Sequence, residues 1–568
     1  MQRLLRYLPE FLAVAVTLLN AAKPAVVDDT AYLLFARHLA ADPLHPYAFE
    51  LFWNNAPQPA MEILLPPVVP LWLGTGIALF GENLVALKLW LLPFLWLFTR
   101  AVWSLLGEFA PTERVRGTVL FAFSPAILPL ISVMIDIPAV ACGLAATACL
   151  VRARVTGRWG WLVAAAALGA AAAEAKYTMI VLPAVWCWYG LTHRSVARSL
   201  AATVGALALF AAWELFVARQ CGESHFLYHV ARQQPAAGAG DLAEKLSRYV
   251  GMKGALVMPL VCGLGGLAAG WGLYAGPAVG LPRRLVDAAA LLGAAGLLGV
   301  LLLPGKSQVL LESNGVPTLA LTALVFVGLG GATLVTVGVA AVKLLRQRGP
   351  AAWFLVGWLL IEVAGYFVLT PFPASRRVVM PAVAVGFVAC AWVGRATARG
   401  PRARPTGVAV AFGVAVGLGL FALDTWDARV ERDAVGAAVE AILPRPSQLW
   451  TQGHWGWQYA ADRAGVQLVT PGVSQLRKGD WLILPGQPDD AGFTRPYHGG
   501  ALFTLDPAKT VYLPKYDRVW DDRLSGTTVP ALYSGRYPFV GRDGPRLVVK
   551  TYRVTADWVP QPPAATAR

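Results

Sequence analysis

Charged side chains are scarce in this chain of 568 residues, because Asp, Glu, Lys and Arg together make up only 14% of it. That is about half the share of an ordinary soluble domain. It excludes a disordered chain, a nucleic-acid-binding tail protein and an ordinary cytosolic enzyme. Cysteine is scarce as well, with six residues and no Cys-x-x-Cys pair, so we expect neither a zinc site nor a disulfide framework. Apolar residues fill the chain instead and make up 57% of it.

The few charges are unevenly distributed along the chain. From Asp424 to the end there are 17 Lys/Arg against 15 Asp/Glu, whereas the residues before it hold 31 against 18. Excess cations in an apolar background are typical of the cytoplasmic loops of a membrane protein. The distribution predicts a polytopic α-helical membrane protein with a soluble end.

Apolar stretches approaching the 20 or so residues needed to cross a bilayer recur along the first part of the chain. We predict about thirteen spans, at 4–22, 84–106, 115–133, 137–151, 159–173, 177–191, 199–217, 254–279, 285–303, 317–342, 351–370, 378–394 and 406–423. The basic residues fall on alternate connections, which places the N-terminus and these loops in the cytoplasm. The soluble end is then extracytoplasmic, and a composition rich in Ala, Arg and Gly favours a bacterial inner membrane.

The first span and the first outer loop, at about 24–83, each leave a choice. The span could be a cleaved signal peptide, but Glu10 interrupts its apolar stretch and Asn20-Ala21-Ala22 is a poor cleavage site. We therefore favour a retained helix. In the loop, the apolar segment Pro66–Phe80 is too short to cross a bilayer and fits a helix lying in the interface.

The soluble end differs in character from the rest of the chain. A helical apolar pattern over Asp427–Ile442 is followed by short apolar runs and turn signals such as Pro471-Gly472 and Pro485-Gly486. We predict a membrane domain at 1–423 and a small extracytoplasmic α/β domain at 424–568.

On this topology, ionisable residues cluster at the outer ends of the spans. The cluster comprises Asp28, Asp29, Asp136, Glu174, Lys176, Arg376 and Arg377. Ionisable groups at this depth are costly and usually pair with one another or serve a site. Together they offer acids and bases to one outer cavity, with cations suited to a phosphate.

The residues of this cluster also have purely structural interpretations. Asp28 and Asp29 could cap a helix, and Asp136 could be a polar stop at a helix junction. Lys176 could reach the lipid headgroups and neutralise Glu174. Arg376 and Arg377 are harder to explain in this way, because a topology signal would place them in the cytoplasm.

The order of these residues forms a recognisable pattern. Its elements are Asp28-Asp29 leading to Tyr32-x-x-x-Ala36-Arg37, Pro66-Pro67 before Phe80-Gly81, Ser124-Pro125, Asp136-x-Pro138, Ala175-Lys176-Tyr177 before Leu182-Pro183, and Arg376-Arg377-x-x-Met380-Pro381. Over most of residues 1–400 the chain resembles the GT-C glycosyltransferases, in particular the branch of protein O-mannosyltransferases and the aminoarabinose transferase of lipid A. Unlike relatives with a basic residue or His close to Pro-Pro, this chain has Met61-Glu62-Ile63-Leu64-Leu65 before Pro66.

The resemblance implies an inverting transferase that moves a hexosyl or pentosyl group from a polyprenyl phosphate to a lipid, protein or glycan acceptor outside the cytoplasm. It implies that Asp28 is the catalytic base, with Asp29 beside it, and that Asp136 orients the acceptor or shares a divalent cation with Asp28. Arg376, Arg377 and Lys176 would bind the donor phosphate. The secondary site residues are Glu174, Tyr177, Tyr32 and Glu62. No cofactor is certain, and the divalent cation is left open.

Two other classes of protein remain as alternatives. A transporter or flippase of lipid-linked sugars could use the same outer acids and arginines, although such folds often show paired halves that we do not find here. A non-catalytic membrane scaffold that binds glycan would leave Asp28, Asp136 and the arginines without a shared purpose.

Overall fold

The fold was analysed in a computed structural model. It describes residues 5–53, 56–233, 250–251, 253–302, 310–311, 317–318, 321–370, 374–440, 442, 448–488, 494–496, 510–517 and 548–561. Much of the predicted soluble domain between 489 and 547 therefore lies outside the described residues, as does the start of the first predicted span.

The described part of residues 1–440 is mainly helical. Its helices are α1 (Leu8–Ala21), α2 (Asp29–Ala41), α3 (Val68–Phe80), α4 (Leu84–Trp90), α5 (Leu92–Phe109), α6 (Arg114–Ala122), α7 (Asp136–Thr156), α8 (Gly160–Ala175), α9 (Leu182–Thr192), α10 (Val196–Cys221), α11 (His225–Gln233), α12 (Val257–Leu267), α13 (Ala269–Val279), α14 (Arg283–Leu302), α15 (Leu321–Leu345), α16 (Pro350–Leu369), α17 (Val379–Thr397) and α18 (Gly407–Glu440). Two short hairpins accompany them, β1 (Glu50–Trp53) with β2 (Ala56–Pro59) and β3 (Leu310–Leu311) with β4 (Pro317–Thr318).

Seven helices of the described residues are long and apolar enough to cross a membrane, and α12 with α13, bent by 74° at their junction, would make an eighth. The seven are Leu84–Phe109, Asp136–Thr156, Val196–Cys221, Leu324–Leu345, Pro350–Leu369, Ser375–Thr397 and Gly407–Glu440. The chain is thus an integral membrane protein by its helices, but the expected count of thirteen is not confirmed.

Proline explains why some predicted spans are interrupted. The span predicted at 115–133 contains the nine-residue helix α6, which ends before Ser124-Pro125, and a short 3₁₀ turn at Leu128–Leu130. The span predicted at 177–191 begins as a 3₁₀ turn and becomes helical only at Leu182, just before Pro183. Proline lacks a backbone donor and disfavours helix in the residue before it, so it fits helix starts better than helix interiors.

The first outer loop forms a small structure of its own. Helix α2 packs on α3, and Gly74 allows the close approach, because a Cβ there would lie 3.1 Å from the carbonyl oxygen of Ala36. Helix α3 has 13 residues, about 20 Å at 1.5 Å per residue, which is too short to cross a bilayer. The short helix predicted from Pro66–Phe80 is confirmed, while its position at the interface stays a prediction.

The last long helix runs through the predicted boundary at Asp424. Helix α18 has 34 residues, about 50 Å, and so is longer than the hydrocarbon core of a bilayer. The span predicted at 406–423 and the helix predicted at Asp427–Ile442 are one continuous element. The membrane helix therefore carries the polypeptide directly into the C-terminal segment.

The described C-terminal residues form a mixed sheet with one helix, α19 (Trp455–Arg463). The strands are β5 (Leu449–Thr451), β6 (Gln467–Leu468), β7 (Trp481–Pro488), β8 (Thr494–Pro496), β9 (Thr510–Asp517) and β10 (Val548–Val554). Their order is β6-β5-β7-β10-β9, with β8 paired to β7. Strand β5 is parallel to β6 and β7, whereas β10 is antiparallel to β7 and β9.

Helix α19 holds this C-terminal segment against the first outer loop. Asp462 accepts a hydrogen bond of 2.7 Å from Arg37, which also binds Glu82. Gln458 donates a hydrogen bond of 2.8 Å to the carbonyl oxygen of Phe52 on β1. These contacts join the sheet to α2 and to the first hairpin, on the side of the loop where the predicted site residues lie.

Candidate active site

Residues from distant parts of the chain surround one cavity of about 530 Å³. The residues of the predicted site that line it are Asp28, Tyr32, Asp136, Lys176, Tyr177, Arg376 and Arg377. Apolar side chains, among them Leu64, Leu65, Phe226 and Leu369, complete the wall. The convergence of the predicted acids and cations at one place agrees with the expected geometry.

Asp28 is held by an arginine from the other end of the membrane domain. The guanidinium of Arg376 donates a hydrogen bond of 2.9 Å to Oδ2 of Asp28, and both side chains are largely buried. Val27, directly before Asp28, has a φ of +45°, which is a genuine outlier for a β-branched residue. The chain accepts local strain where it turns Asp28 toward the cavity.

The second acid forms a pair with the predicted lysine. Lys176 Nζ donates a hydrogen bond of 2.6 Å to Oδ1 of Asp136, which lies at the start of α7. Lys176 follows the last residue of α8 in an extended conformation, with φ −159°, so its side chain leaves the helix and enters the cavity. Burial lowers the pKa of Lys176 while Asp136 opposes that shift.

The two arginines lie on a 3₁₀ turn, Ser375–Val378, that precedes α17. Arg376 faces Asp28, and both arginines also line a second, smaller cavity with Asp136, Lys176 and Tyr366. Three cations and two carboxylates are thus gathered in a mostly apolar region. This arrangement leaves one positive charge in excess, which favours an anionic ligand.

Asp29 faces away from the cavity and is fully buried. Its Oδ2 accepts hydrogen bonds from Ser132 Oγ and, at 2.9 Å, from the backbone N–H of Val26. Burial raises the pKa of Asp29, against the attraction of Lys88 and Lys23. The side chain therefore fixes the backbone around Asp28 and does not contribute to the cavity wall.

A buried ion pair lies beside this turn. Lys23 is bonded to Asp424 of α18, and both side chains are inaccessible to solvent. Lys88 donates hydrogen bonds to the carbonyl oxygens of Lys23 and Pro24, at 2.5 and 3.1 Å. The first helix, the start of the long α4–α5 span and the last membrane helix are thus tied together immediately before Asp28.

Tyr177 belongs to a polar network at the edge of the cavity. Its hydroxyl lies 2.9 Å from Oε1 of Glu214 and 2.6 Å from Nδ1 of His225. His225 Nε2 lies 3.0 Å from the carbonyl oxygen of Ile63, and His229 lies 3.1 Å beyond it. Burial lowers the pKa of His225 to about 3 and that of His229 to about 4, so both rings are neutral at pH 7.

Two secondary residues of the predicted site lie outside the cavity wall. Glu174 is buried at the end of α8, and neither carboxylate oxygen has a hydrogen-bond partner among the described residues. Glu62 is exposed in the short 3₁₀ turn Ala60–Glu62. Neither side chain lines the cavity that contains Asp28 and Asp136.

The C-terminal segment contributes to the cavity, which was not predicted from the sequence. His454 and Trp455, at the start of α19, line the cavity together with Trp53 of β1. The sequence signal was present, because Gly453 and Gly456 flank the His-Trp pair. Glycines on both sides of two aromatic residues indicate a tight backbone that presents those side chains.

The arrangement of the two acids does not fit the divalent cation that was left open. Asp28 is paired with Arg376 and Asp136 with Lys176, so cations of the protein already neutralise both carboxylates. Within the described ranges, no group of three or more His, Cys, Asp or Glu side chains is placed to hold a metal ion. We therefore derive no chemical step through a divalent cation.

With this geometry established, part of the chain is found to match a known protein family. Residues 65–216 match the family of dolichyl-phosphate-mannose-protein mannosyltransferases. Over these residues the match confirms the resemblance to GT-C membrane glycosyltransferases that was inferred from the sequence motifs. No curated protein matches the chain at a significant level.

Several solved structures are similar to this chain at low sequence identity. One is the oligosaccharyltransferase of Archaeoglobus fulgidus tethered with an acceptor peptide, at a TM-score of 0.40 and 13% identity, over 81% of this chain and 63% of that one. Another is ArnT of Cupriavidus metallidurans bound to undecaprenyl phosphate, at a TM-score of 0.36 and 17% identity, over 84% of this chain and 92% of that one. This chain thus spans less than two thirds of the oligosaccharyltransferase it matches.

Proposed function

We propose that this protein is an inverting glycosyltransferase that moves a hexosyl or pentosyl group from a polyprenyl phosphate to an acceptor on the extracytoplasmic side. One observation carries the proposal: Asp28 and Asp136 share a cavity of about 530 Å³ with Arg376, Arg377 and Lys176. The family match over residues 65–216 supports the same class of reaction.

Asp28 is the proposed general base. The acceptor hydroxyl or amine attacks the anomeric carbon, the bond from that carbon to the phosphate oxygen breaks, and Asp28 takes the acceptor's proton. The polyprenyl phosphate leaves with the bonding electron pair as an anion, so it requires no proton from an acid. Attack opposite the leaving group inverts the anomeric configuration.

The cations are proposed to stabilise the leaving phosphate. A guanidinium can bind two phosphate oxygens at once, and fixed positive charge has its largest effect where negative charge develops. In the free protein Arg376 donates a hydrogen bond of 2.9 Å to Asp28. A bound donor phosphate would compete with Asp28 for this guanidinium. Donor binding would thus release the base as it places the sugar.

The remaining acids have supporting roles in this proposal. Asp136 holds Lys176 in the cavity by a hydrogen bond of 2.6 Å and orients the acceptor. Asp29, bonded to Ser132 and to the backbone at Val26, fixes the turn that presents Asp28. Tyr32 and Tyr177 contribute aromatic side chains to the wall of the cavity.

The proposed topology has about thirteen spans at 1–423, a cytoplasmic N-terminus and an extracytoplasmic α/β domain at 424–568, in a bacterial inner membrane. Helix α18 supports this arrangement, since it continues from the last apolar span into the C-terminal sheet. The cavity would then lie at the outer face, accessible to a lipid-linked donor and to an acceptor in the periplasm, whether lipid, protein or glycan.

A reconstituted assay tests the proposal. The purified protein in proteoliposomes is given undecaprenyl phosphate carrying radiolabelled sugar, together with an extract of cell-envelope acceptors. A transferase makes labelled acceptor and releases undecaprenyl phosphate in equal amount. A flippase would move the labelled lipid between leaflets unchanged, and a scaffold would bind glycan without altering the donor; either result would replace the proposal.

A further inference from the structure

The backbone strain in the described residues is concentrated at the cavity. Among the residues that the structure describes, four other than glycine have a positive φ: Val27, Arg194, Arg348 and Trp455. Two of them, Val27 and Trp455, line the cavity wall. A φ of +58° at a residue as bulky as Trp455 persists only where the surroundings impose it, and such residues gather at functional sites.

The surroundings of Trp455 do impose its conformation. Thr30, two residues after Asp28, donates a hydrogen bond of 2.5 Å to the carbonyl oxygen of Trp455. The next residue is glycine, in a position with little room for a side chain: a Cβ at position 456 would lie 2.5 Å from Oε2 of Glu431 and 3.0 Å from the carbonyl oxygen of Ala25. The loop that carries Asp28 and the C-terminal segment therefore fix Trp455 from both sides.

His454 is fixed as a single tautomer by a chain of hydrogen bonds. Gln458 donates from Nε2 to the carbonyl oxygen of Phe52 at 2.8 Å, which turns its Oε1 toward Nδ1 of His454 at 3.3 Å. Because Oε1 can only accept, Nδ1 carries the proton and Nε2 keeps its lone pair. In the described part of the chain, Nε2 of His454 has no hydrogen-bond partner.

Three aromatic rings follow one another along this side of the cavity. The ring centroid of His454 lies 4.2 Å from that of Trp53 and 5.7 Å from that of Trp455. Burial lowers the pKa of His454 to about 4, although Asp28 is close enough to oppose the shift. A neutral imidazole acceptor close to two indoles therefore faces the same space as the proposed base.

We propose that His454 and Trp455 bind the acceptor and that the acceptor is a saccharide. Nε2 of His454 accepts a hydrogen bond from a sugar hydroxyl, and the Trp455 indole packs on the C–H face of the ring. A neutral hydrogen-bond acceptor beside broad apolar ring faces matches a polyhydroxylated, uncharged ligand. The inference rests on the proposed function, and it gives the C-terminal segment a role in selecting the acceptor.

Saturation-transfer-difference NMR tests this assignment on the full chain in nanodiscs loaded with undecaprenyl phosphate. The probes are methyl α-D-mannopyranoside, methyl α-D-glucopyranoside and a Ser/Thr-containing peptide. We expect signal from ring protons of at least one glycoside, and an affinity about fivefold weaker in Trp455→Gly, which accepts the positive φ but lacks the ring. Trp455→Phe should keep most of the affinity, and His454→Gln, which retains an acceptor near the position of Nε2, should lose less than His454→Ala.

The matched control is His45→Ala, since His45 is exposed in the same outer loop and pairs with Asp42. Undecaprenyl phosphate binding, measured in the same nanodiscs, should depend on Arg376 and Arg377 and not on Trp455. No glycoside signal in the native protein, equal signal in Trp455→Gly, or stronger signal from the peptide would each overturn the inference. Failure of the proposed function would instead appear as lipid binding that ignores both arginines.

Discussion

Arg376 donates a hydrogen bond of 2.9 Å to Asp28 across a separation of 348 residues. The contact joins the turn before α2 to the turn before α17, and it places a phosphate-binding type of side chain on the proposed base. Asp136 and Lys176 repeat the arrangement nearby at 2.6 Å. The cavity is therefore an electrostatically paired site in which an incoming anion can exchange with a carboxylate.

Charge reversal at the arginine pair should mainly affect the donor. In the double variant Arg376→Glu, Arg377→Glu, the proposed phosphate ligands become repulsive, so we expect the donor KM to rise at least about 100-fold, on the order of 3 kcal/mol for charged hydrogen bonds lost. Steady-state kinetics at varied donor concentration measures this. The control is Arg198→Glu, which changes an exposed arginine on the predicted cytoplasmic side; unchanged donor kinetics in the double variant would limit the pair to a structural role.

The buried ion pair between Lys23 and Asp424 should control stability. Lys23→Met leaves a buried carboxylate without its cation, and we expect a loss of about 3–5 kcal/mol in the free energy of unfolding. The double variant Lys23→Met, Asp424→Leu should recover most of that loss, because no buried charge is left unpaired.

Denaturant unfolding in detergent measures both variants. The exposed pair Arg432–Asp433 is the control, where removal of one partner should change stability by no more than about 1 kcal/mol. If Lys23→Met were as stable as the native protein, the pair would not be holding the three helices together.

Stability should decrease in mild acid. The pKa values of His225, His229 and His454 lie at about 3, 4 and 4 in the folded protein, below the value of about 6.5 for an exposed histidine. Between those values the unfolded chain binds more protons than the folded protein. The contribution of these histidines to stability is therefore fully present above about pH 6.5 and is lost as the pH falls toward 4. Tm measured from pH 8 to pH 4.5 checks this, and His454→Gln should flatten the slope while His45→Ala should not.

Chelation of divalent cations should leave transfer unchanged. Asp28 and Asp136 are each paired with a cationic side chain, so the site as built offers no unengaged carboxylate pair to a metal. Activity in 5–10 mM or so of EDTA, with the donor binding measured in parallel, is the test. A loss of activity restored by Mg²⁺ or Mn²⁺ would require the carboxylates to rearrange around a metal.

The sequence predicted the wall of the site better than its surroundings. Asp28, Asp136, Lys176, Arg376 and Arg377 were placed at one outer face because ionisable residues at span ends are costly and so are informative. Their roles remain predictions. Loop alternation placed them at one outer face, and the structure adds their convergence at one cavity. The ordered set of charged residues thus indicates a site even though no single motif is specific.

What the sequence did not predict depends on tertiary packing. The sequence of the pair Asp28-Asp29 does not show which side chain faces the cavity. Asp29 turns away because it accepts a hydrogen bond from Ser132, a residue about a hundred positions away. The entry of His454 and Trp455 into the cavity depends on how α19 docks on the first outer loop. The count of thirteen spans is not confirmed. Prolines divide two of the apolar stretches into short helices and turns, and hydropathy reports burial and not helix continuity.

The most direct test of the account is Asp28→Asn, an isosteric change that removes the negative charge of the proposed base. Transfer of radiolabelled sugar and binding of undecaprenyl phosphate are measured on the same proteoliposomes. We expect transfer to fall by at least about 100-fold, as for loss of a general base, while lipid binding is retained or strengthened because the bond between Arg376 and the Asp28 carboxylate is lost. Transfer at the native rate with unchanged lipid binding would contradict the account.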